Sequence, residues 1–239
     1  MRIRIVLDLK DVKISVKYHS MLQGLIYNAL FNNQDIKNIH DKGYKIGKRK
    51  FKLFTYSELY GESKYIKETK ELLFENTASF DFTCYKDDLA LSYVTFFANN
   101  QKVCLGNKIV KVLSCSIIDD SVNNNPVTSF RTISPITTYI TDQNKKTIYF
   151  DPSMDEFKES IIQNLAQKYY LVYNENIPDI EITEIRNIKQ KKIYFRNIFS
   201  IAYHCTIKFN KLTPEVKKII LTSGLGSKNS SGFGMVEIL

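Results

Sequence analysis

The residues best suited to chemistry lie near the C-terminus, in the glycine-rich segment 224–234 (GLGSKNSSGFG). Four of the nine glycines of the chain fall in this segment, and none lies between residues 107 and 223. Glycine lets a backbone approach an anion closely and turn its N–H groups toward it. The segment therefore predicts a phosphate-binding loop, whose candidate binding residues are Gly224, Gly226, Ser227, Lys228, Asn229, Ser230, Ser231 and Gly232.

Three other interpretations of this segment are less favoured. A flexible turn between a helix and a strand would need only two glycines. A P-loop places Gly-Lys-Ser/Thr at the start of a helix, whereas a predicted strand follows here. Residues 231–238 resemble part of an RRM signature, but Met235 stands where that signature has a stacking aromatic residue.

Two basic segments could contact a polyanion. Residues 42–52 (KGYKIGKRKFK) contain six Lys or Arg, and residues 186–196 (RNIKQKKIYFR) contain five, interleaved with two aromatic residues. Either segment alone could be a solvated surface, but together with the glycine-rich loop they predict contact with RNA. The candidate RNA-binding residues are Lys48, Arg49, Lys50, Lys189, Lys191, Lys192 and Arg196.

The elements that must position these segments follow the same order in both halves of the chain. In the first half, apolar periodicity predicts strands near residues 2–8, 51–57, 78–85 and 103–118, and helices near 20–30 and 87–98. Ser20 with Gln23 suggests a capping box at the first helix. The polar segment 119–128 (DDSVNNNPVT) is the best linker in the chain.

The second half is predicted to repeat that order. Strands are expected near residues 130–141, 146–150, 179–186, 193–195, 198–209 and 233–239. One helix should start at a capping box formed by Ser153 and Glu156, and another at Thr213-Pro214, with Thr as the cap. Two β-α-β-β-α-β halves predict an α+β fold of two tandem ferredoxin-like (RRM-like) domains, residues 1–122 and 123–239.

Composition restricts the class of protein and of partner. Hydrophobic residues make up 44% of the chain, with 15 Phe and 15 Tyr, which excludes disorder over most of its length. The net charge of +9 favours a polyanionic partner. No apolar run approaches the ~20 residues that span a bilayer, and no signal peptide is evident, so a cytoplasmic protein is expected. The four cysteines and three histidines lack metal-ligand spacing, so neither a metal nor a cofactor is expected.

The segment GLGSKNSSGFGMVEI (residues 224–238) resembles the C-terminal glycine-rich motif of the CRISPR-associated (Cas) family-six endoribonucleases. These enzymes belong to the RAMP superfamily and mature the precursor CRISPR transcript. A second similarity lies in LQGLIYNAL (residues 22–30), His40 and FKLFTYS (residues 51–57). The glycine motif indicates the superfamily, and the N-terminal matches make the resemblance more specific. Residues 60–200 contribute little to it.

The resemblance implies catalysis by His40, Tyr27 and Lys52 without a metal. A ribose 2′-OH would attack the adjacent phosphate, leaving a 2′,3′-cyclic phosphate and a 5′-OH. A histidine can protonate the departing 5′ oxygen, and a lysine can stabilise the charge of the transition state. Tyr27 would orient or deprotonate the 2′-OH. Without the resemblance, Tyr27 could equally lie at the edge of the core, His40 in a solvated loop and Lys52 on the surface.

The expected partner is CRISPR repeat RNA, with other subunits of a CRISPR effector complex as further candidates, no membrane, and a monomeric or homodimeric state. His204 is predicted to be structural, and His19 to be structural or a modest RNA contact. One alternative is a non-catalytic guide-RNA-binding subunit, which would not need His40. Another is an RNA-modifying or ribosome-associated protein, which would not select a CRISPR repeat. A DNA nuclease is disfavoured because no carboxylate cluster for two-metal chemistry is evident.

Overall fold

The computed structural model describes residues 1–31, 44–47, 49–118, 128–195 and 198–239. Its architecture is α+β, with antiparallel sheets and helices packed on them, which confirms the predicted class. In the described part of the chain, no helix combines the length and apolarity needed to cross a bilayer.

The first half of the chain builds a five-stranded sheet with two helices. Its elements are β1 (Arg2–Asp8), β2 (Lys13–Ser15), α1 (His19–Phe31), β3 (Tyr44–Ile46), β4 (Arg49–Phe51), β5 (Phe54–Tyr56), β6 (Ser63–Ile66), β7 (Glu71–Phe74), β8 (Thr77–Cys84), α2 (Asp87–Asn99), β9 (Lys102–Leu105) and β10 (Lys108–Ile118). The strand order of this N-terminal sheet is β5-β8-β1-β10-β9, and every neighbouring pair is antiparallel.

Alternation in β1 places its apolar side chains in the core beneath the two helices. Ile3, Ile5 and Leu7 are fully buried, as the period-two pattern predicts. Phe82 of β8 stacks on Tyr93 of α2 with ring centroids 4.1 Å apart, so aromatic contacts hold the helix on the sheet.

The second half builds a four-stranded sheet with two more helices. Its elements are β11 (Ser129–Thr132), β12 (Tyr139–Thr141), β13 (Thr147–Tyr149), α3 (Asp155–Tyr173), β14 (Ile182–Phe195), β15 (Ile198–Phe209), α4 (Pro214–Ser223), a 3-10 turn (Asn229–Ser231) and β16 (Val236–Ile238). This C-terminal sheet has the order β14-β15-β11-β16 and encloses a second hydrophobic core. Strands β12 and β13 form a separate hairpin.

Of the three helix starts that were predicted from capping residues, the structure confirms one and contradicts two. The Thr213 side chain accepts a hydrogen bond from the Val216 N–H, with Pro214 in the first turn of α4, as predicted. By contrast, Ser20 lies inside α1, and its hydroxyl donates to the Lys17 carbonyl. The Ser153 hydroxyl donates to Asp151, and α3 starts at Asp155 without a side-chain cap. These two capping predictions were wrong because the hydroxyls bond to acceptors that precede the helices.

Polar contacts join the two halves of the chain. The Thr55 hydroxyl donates to the Phe233 carbonyl over 3.0 Å, and the Tyr60 hydroxyl donates to the Ile133 carbonyl. Arg2 lies 3.2 Å from Glu237. The Thr55–Phe233 contact brings β5 and the segment before β16 together, next to Phe54, which lines the cleft described below.

Candidate functional site

Tyr27 and Lys52 meet although 25 residues separate them. Lys52 lies in the connection between β4 and β5, not within one continuous strand as predicted. Leu53 turns the chain there with a φ of +48°. The Lys52 Nζ donates to the Tyr27 hydroxyl over 3.0 Å and lies 4.8 Å from the centroid of its ring. Phe54 packs edge-on against the same ring and fixes its position.

His40 lies outside the described residues. The structure therefore brings together two of the three catalytic candidates. A phenol oxygen beside an ammonium can bind a ribose hydroxyl, and the ammonium can stabilise a neighbouring phosphate.

The glycine-rich loop (residues 224–234) lies against the elements that carry Tyr27 and Lys52. Gln23, one turn before Tyr27 on α1, donates from Nε2 to the Ser230 carbonyl over 2.8 Å. Gly232 packs on Tyr56 of β5 so closely that a Cβ would lie 2.5 Å from the ring. Gln23 is thus part of the site although the sequence suggested only a helix-capping role for it.

Hydrogen bonds within the protein hold this loop in shape. The N–H groups of Leu225, Ser227, Ser231, Gly232 and Gly234 donate to protein carbonyls, so the loop is neither a flexible turn nor a simple array of open N–H donors. The four glycines have φ between +68° and +85°, and they are buried. The glycines therefore allow close backbone packing.

A cleft of about 700 Å³ separates the glycine-rich loop from the β4–β5 connection. Lys50, Lys52, Lys168 and Lys228 lie along it, and its described lining contains no Asp or Glu. Side chains of the loop residues 227–230 line the opposite wall. Lys50, Lys52 and Lys228, with no carboxylate among the described lining residues, favour an anionic ligand in this cleft.

Lys228 is held at the edge of this cleft. Its Nζ donates to the Ser200 hydroxyl over 2.9 Å and lies 4.8 Å from the Tyr139 ring centroid and 5.7 Å from that of Tyr149. A hydroxyl and two aromatic faces position the ammonium without neutralising its charge.

Lys168 was missed by the sequence analysis. It lies on α3 and is 2% exposed. Its Nζ donates to the Ser223 carbonyl (3.1 Å), the Gly224 carbonyl (2.6 Å) and Asn229 Oδ1 (2.8 Å). Burial lowers the pKa of Lys168 to about 7. The sequence did contain a signal that Lys168 is buried. Lys168 lies seven residues after Ile161, so the two side chains share one face of the helix.

Glu58, which follows β5, joins the two sheets. Its carboxylate accepts from Lys191 Nζ at 2.6 Å to each oxygen, and it lies 3.5 Å from His19 Nε2 and 3.3 Å from His204 Nε2. Burial alone would raise the pKa of Glu58, but hydrogen bonds with His19, His204 and Lys191 hold that pKa well below its usual range. Lys191, a predicted RNA contact, thus forms an ion pair within the protein, and both histidines have structural contacts.

The remaining basic candidates lie on the β14–β15 hairpin, in β4 or outside the described residues. Lys189 and Lys192 are exposed on β14, and Lys192 Nζ lies 5.9 Å from the Phe199 ring centroid. Lys48 and Arg196 lie outside the described residues, and Arg49 is part of β4.

Solved structures share the two-sheet α+β fold of this chain. A solved structure of "an RAMP protein binding different RNA substrates" superposes with a TM-score of 0.82 at 18% identity, covering 100% of this chain and 99% of the other. The family model for the C-terminal region of the CRISPR-associated protein Cas6 matches residues 118–238. The chain belongs to the Cas6 family, which confirms the resemblance.

Individual relatives agree over the whole length of the chain. The CRISPR-associated endoribonuclease Cas6 of Pyrococcus furiosus is 29% identical over 244 residues, which cover 99% of this chain and 88% of the relative. A solved CRISPR-associated protein Cas6 superposes with a TM-score of 0.79 at 25% identity, covering 100% of this chain and 99% of the other.

Proposed function

We propose that this protein is a metal-independent endoribonuclease that cleaves precursor CRISPR RNA within its repeats. The observation that carries the proposal is the 3.0 Å contact between Lys52 Nζ and the Tyr27 hydroxyl, beside a lysine-lined cleft. The relative from Pyrococcus furiosus is named an endoribonuclease, and the similarity to it covers nearly the whole chain, which supports the same activity here.

The proposed reaction is transesterification. The ribose 2′ oxygen attacks the adjacent phosphorus, the bond to the 5′ oxygen breaks, and the products carry a 2′,3′-cyclic phosphate and a 5′-OH. Tyr27 positions or deprotonates the 2′-OH, and Lys52 stabilises the added negative charge on the phosphate. His40 protonates the departing oxygen.

The RNA backbone would enter along the lysines of the cleft. Lys50 lies on one side of it, and Lys228 lies on the loop wall together with Ser227 and Ser230. The exposed Lys189 and Lys192 on the β14–β15 hairpin would contact RNA beyond the cleft. Binding through such contacts should weaken with salt, with a log–log slope of about −0.7 per phosphate neutralised on a single strand.

We also infer that each sheet with its helices is a ferredoxin-like domain, within residues 1–122 and 123–239. In the N-terminal sheet the unit consists of β1, β5, β8 and β10, with β1 and β8 central and β5 and β10 beside them. In the C-terminal sheet it consists of β11, β14, β15 and β16, with β11 and β15 central and β14 and β16 beside them. Each sheet also has its own hydrophobic core. Limited proteolysis that cuts first within residues 119–128 and leaves two resistant fragments would support this division. Degradation without such fragments would contradict it.

The testing experiment is cleavage of a labelled repeat RNA in EDTA by the wild type and by three variants. His40→Ala should slow cleavage by about 10²–10⁴-fold, and Lys52→Met by about 10²–10³-fold. Tyr27→Phe should also slow cleavage, and a substrate with a 2′-deoxyribose at the cut site should remain intact. Tyr65→Phe and Lys67→Met are matched controls, because both side chains are exposed and lie outside the cleft lining.

Each alternative function predicts a different result. Tight and selective repeat binding without cleavage would indicate a guide-RNA-binding subunit. Equal binding of unrelated RNA would favour an RNA-modifying or ribosome-associated protein. Cleavage of the deoxy substrate, or cleavage only with added metal, would refute the proposed mechanism.

A further inference from the structure

Lys168 carries a buried side-chain amine that has no carboxylate partner among the described residues. Burying an ammonium costs free energy unless its donors are satisfied. An ammonium has three N–H donors, and Lys168 directs them to three acceptors: the Ser223 and Gly224 carbonyls and the Asn229 side-chain oxygen. Two of these acceptors lie at the C-terminal end of α4, where a helix favours a positive charge. The arrangement satisfies Lys168 only when the glycine-rich loop keeps this shape.

The third acceptor extends this contact across the base of the loop. Asn229 accepts from Lys168 through Oδ1 and donates through Nδ2 to the Leu225 carbonyl (2.9 Å) and the Phe233 carbonyl (3.0 Å). Lys168 and Asn229 therefore connect the end of α4 to both sides of the loop. Lys228, adjacent to Asn229, has a φ of +58° and turns its side chain toward Ser200 at the edge of the cleft.

We propose that Lys168 is a positioning residue for the RNA. Its ammonium holds Asn229 and the end of α4, so that Lys228 and Ser230 face the cleft. Lys168 itself does not neutralise a phosphate, because its three donors are occupied and its side chain is buried. The inference rests on the proposed function, since it requires that this cleft bind repeat RNA.

Salt dependence distinguishes a positioning lysine from a phosphate-binding one. Lys168→Met keeps the alkyl stem and should weaken repeat binding at least tenfold, while the slope of log affinity against log salt stays at the wild-type value. Lys228→Met should instead reduce the magnitude of that slope by about 0.7, because one phosphate contact is lost. Lys158→Met, on the same helix and outside the cleft lining, is the matched control and should change neither quantity.

A double-mutant cycle that combines Lys168→Met with Asn229→Ala tests whether Lys168 affects RNA binding through Asn229. If Lys168 acts through Asn229, the double variant should lose much less affinity than the product of the two single losses. Asn229→Ala also serves if Lys168→Met does not fold, because it leaves the Ser223 and Gly224 carbonyls bonded to Lys168. Asn229→Ala should then weaken repeat binding without changing the slope of log affinity against log salt. Circular dichroism would establish that each variant measured is folded.

Several results would overturn the inference. Provided that the wild type binds the repeat, one such result is an unchanged RNA affinity of Lys168→Met. Another is a salt-dependence slope of Lys168→Met that is reduced as in Lys228→Met. A third is that Lys168→Met and Asn229→Ala have independent effects in the double-mutant cycle. If the wild type does not bind repeat RNA, the proposed function fails and the inference fails with it.

Discussion

Replacing Glu58 by Gln should destabilise the protein, because the carboxylate joins the two sheets from a buried position. Glu58 is 6% exposed and contacts His19, Lys191 and His204. Glutamine keeps the shape of the side chain but removes its charge and one acceptor oxygen. Lys191 and His204 then lose the carboxylate with which they associate across the interface.

The size of the expected loss in the free energy of unfolding depends on how much of the Glu58–Lys191 ion pair is buried. Breaking a fully buried pair by removing one partner costs about 3–5 kcal/mol. The Lys191 side chain is 43% exposed and can turn to water after the substitution. We therefore expect a loss of about 2–3 kcal/mol in the free energy of unfolding, below the range for a fully buried pair.

Urea denaturation at pH 7 measures this loss, with Glu68→Gln as the control at an exposed position. The pH dependence has a definite sign, because the folded-state pKa of Glu58 is lowered. Its stabilisation is fully present above the unfolded-state pKa of about 4.3 and is lost as the pH falls toward the lower folded-state pKa. The stability difference between wild type and Glu58→Gln should therefore shrink below about pH 4.

Two results would refute this reasoning. One is equal stability of Glu58→Gln and Glu68→Gln at pH 7, which would mean that the contacts of Glu58 contribute no net stability. The other is a difference that stays constant, or grows, as the pH falls below about 4. The carboxylate charge would then not be the source of the stabilisation.

Three backbone and capping predictions concern the loop and the helices. Gly234→Ala would place a Cβ 1.9 Å from the Leu225 carbonyl oxygen at a residue whose φ is +74°. It should therefore lower the free energy of unfolding measured in urea by at least about 2 kcal/mol and abolish repeat binding. Gly24→Ala lies inside α1, and no described residue outside the adjacent helix backbone comes within 4 Å of the new Cβ, so it should instead raise the free energy of unfolding by about 0.5–1 kcal/mol; a loss would contradict the helical environment. Thr213→Ala removes the acceptor for the Val216 N–H and should cost about 1 kcal/mol, whereas Thr213→Ser should lose little.

The features that could be predicted from the sequence depend on residues close together along the chain. The alternation of Ile3, Ile5 and Leu7 and the Thr213-Pro214 start of α4 are examples. A period-two pattern or a cap is complete within a few residues, so no distant partner is needed to recognise it. The α+β class could be predicted for the same reason, because it follows from the order of such elements.

Contacts between distant residues could not be predicted in this way. Gln23 bonds to the Ser230 carbonyl across 207 residues, and Lys191 bonds to Glu58 across 133. At Leu53, the positive φ that separates β4 from β5 leaves no mark in the hydrophobic pattern. The sequence therefore predicted a continuous strand through Lys52, although the turn lies where Lys52 meets Tyr27.

The glycine-rich loop shows how a motif that indicates a family can have a physical basis other than the one its residues suggest. Its glycines suggested N–H groups turned toward phosphate, yet the Gly232 and Gly234 N–H groups donate to protein carbonyls. The same glycines lie where a Cβ would collide with Tyr56 or with the Leu225 carbonyl. Glycine is therefore required at these positions so that the loop can pack closely against its own backbone and against β5. Because that packing fixes the loop, the positive charge that the loop presents at the cleft comes from the Lys228 side chain.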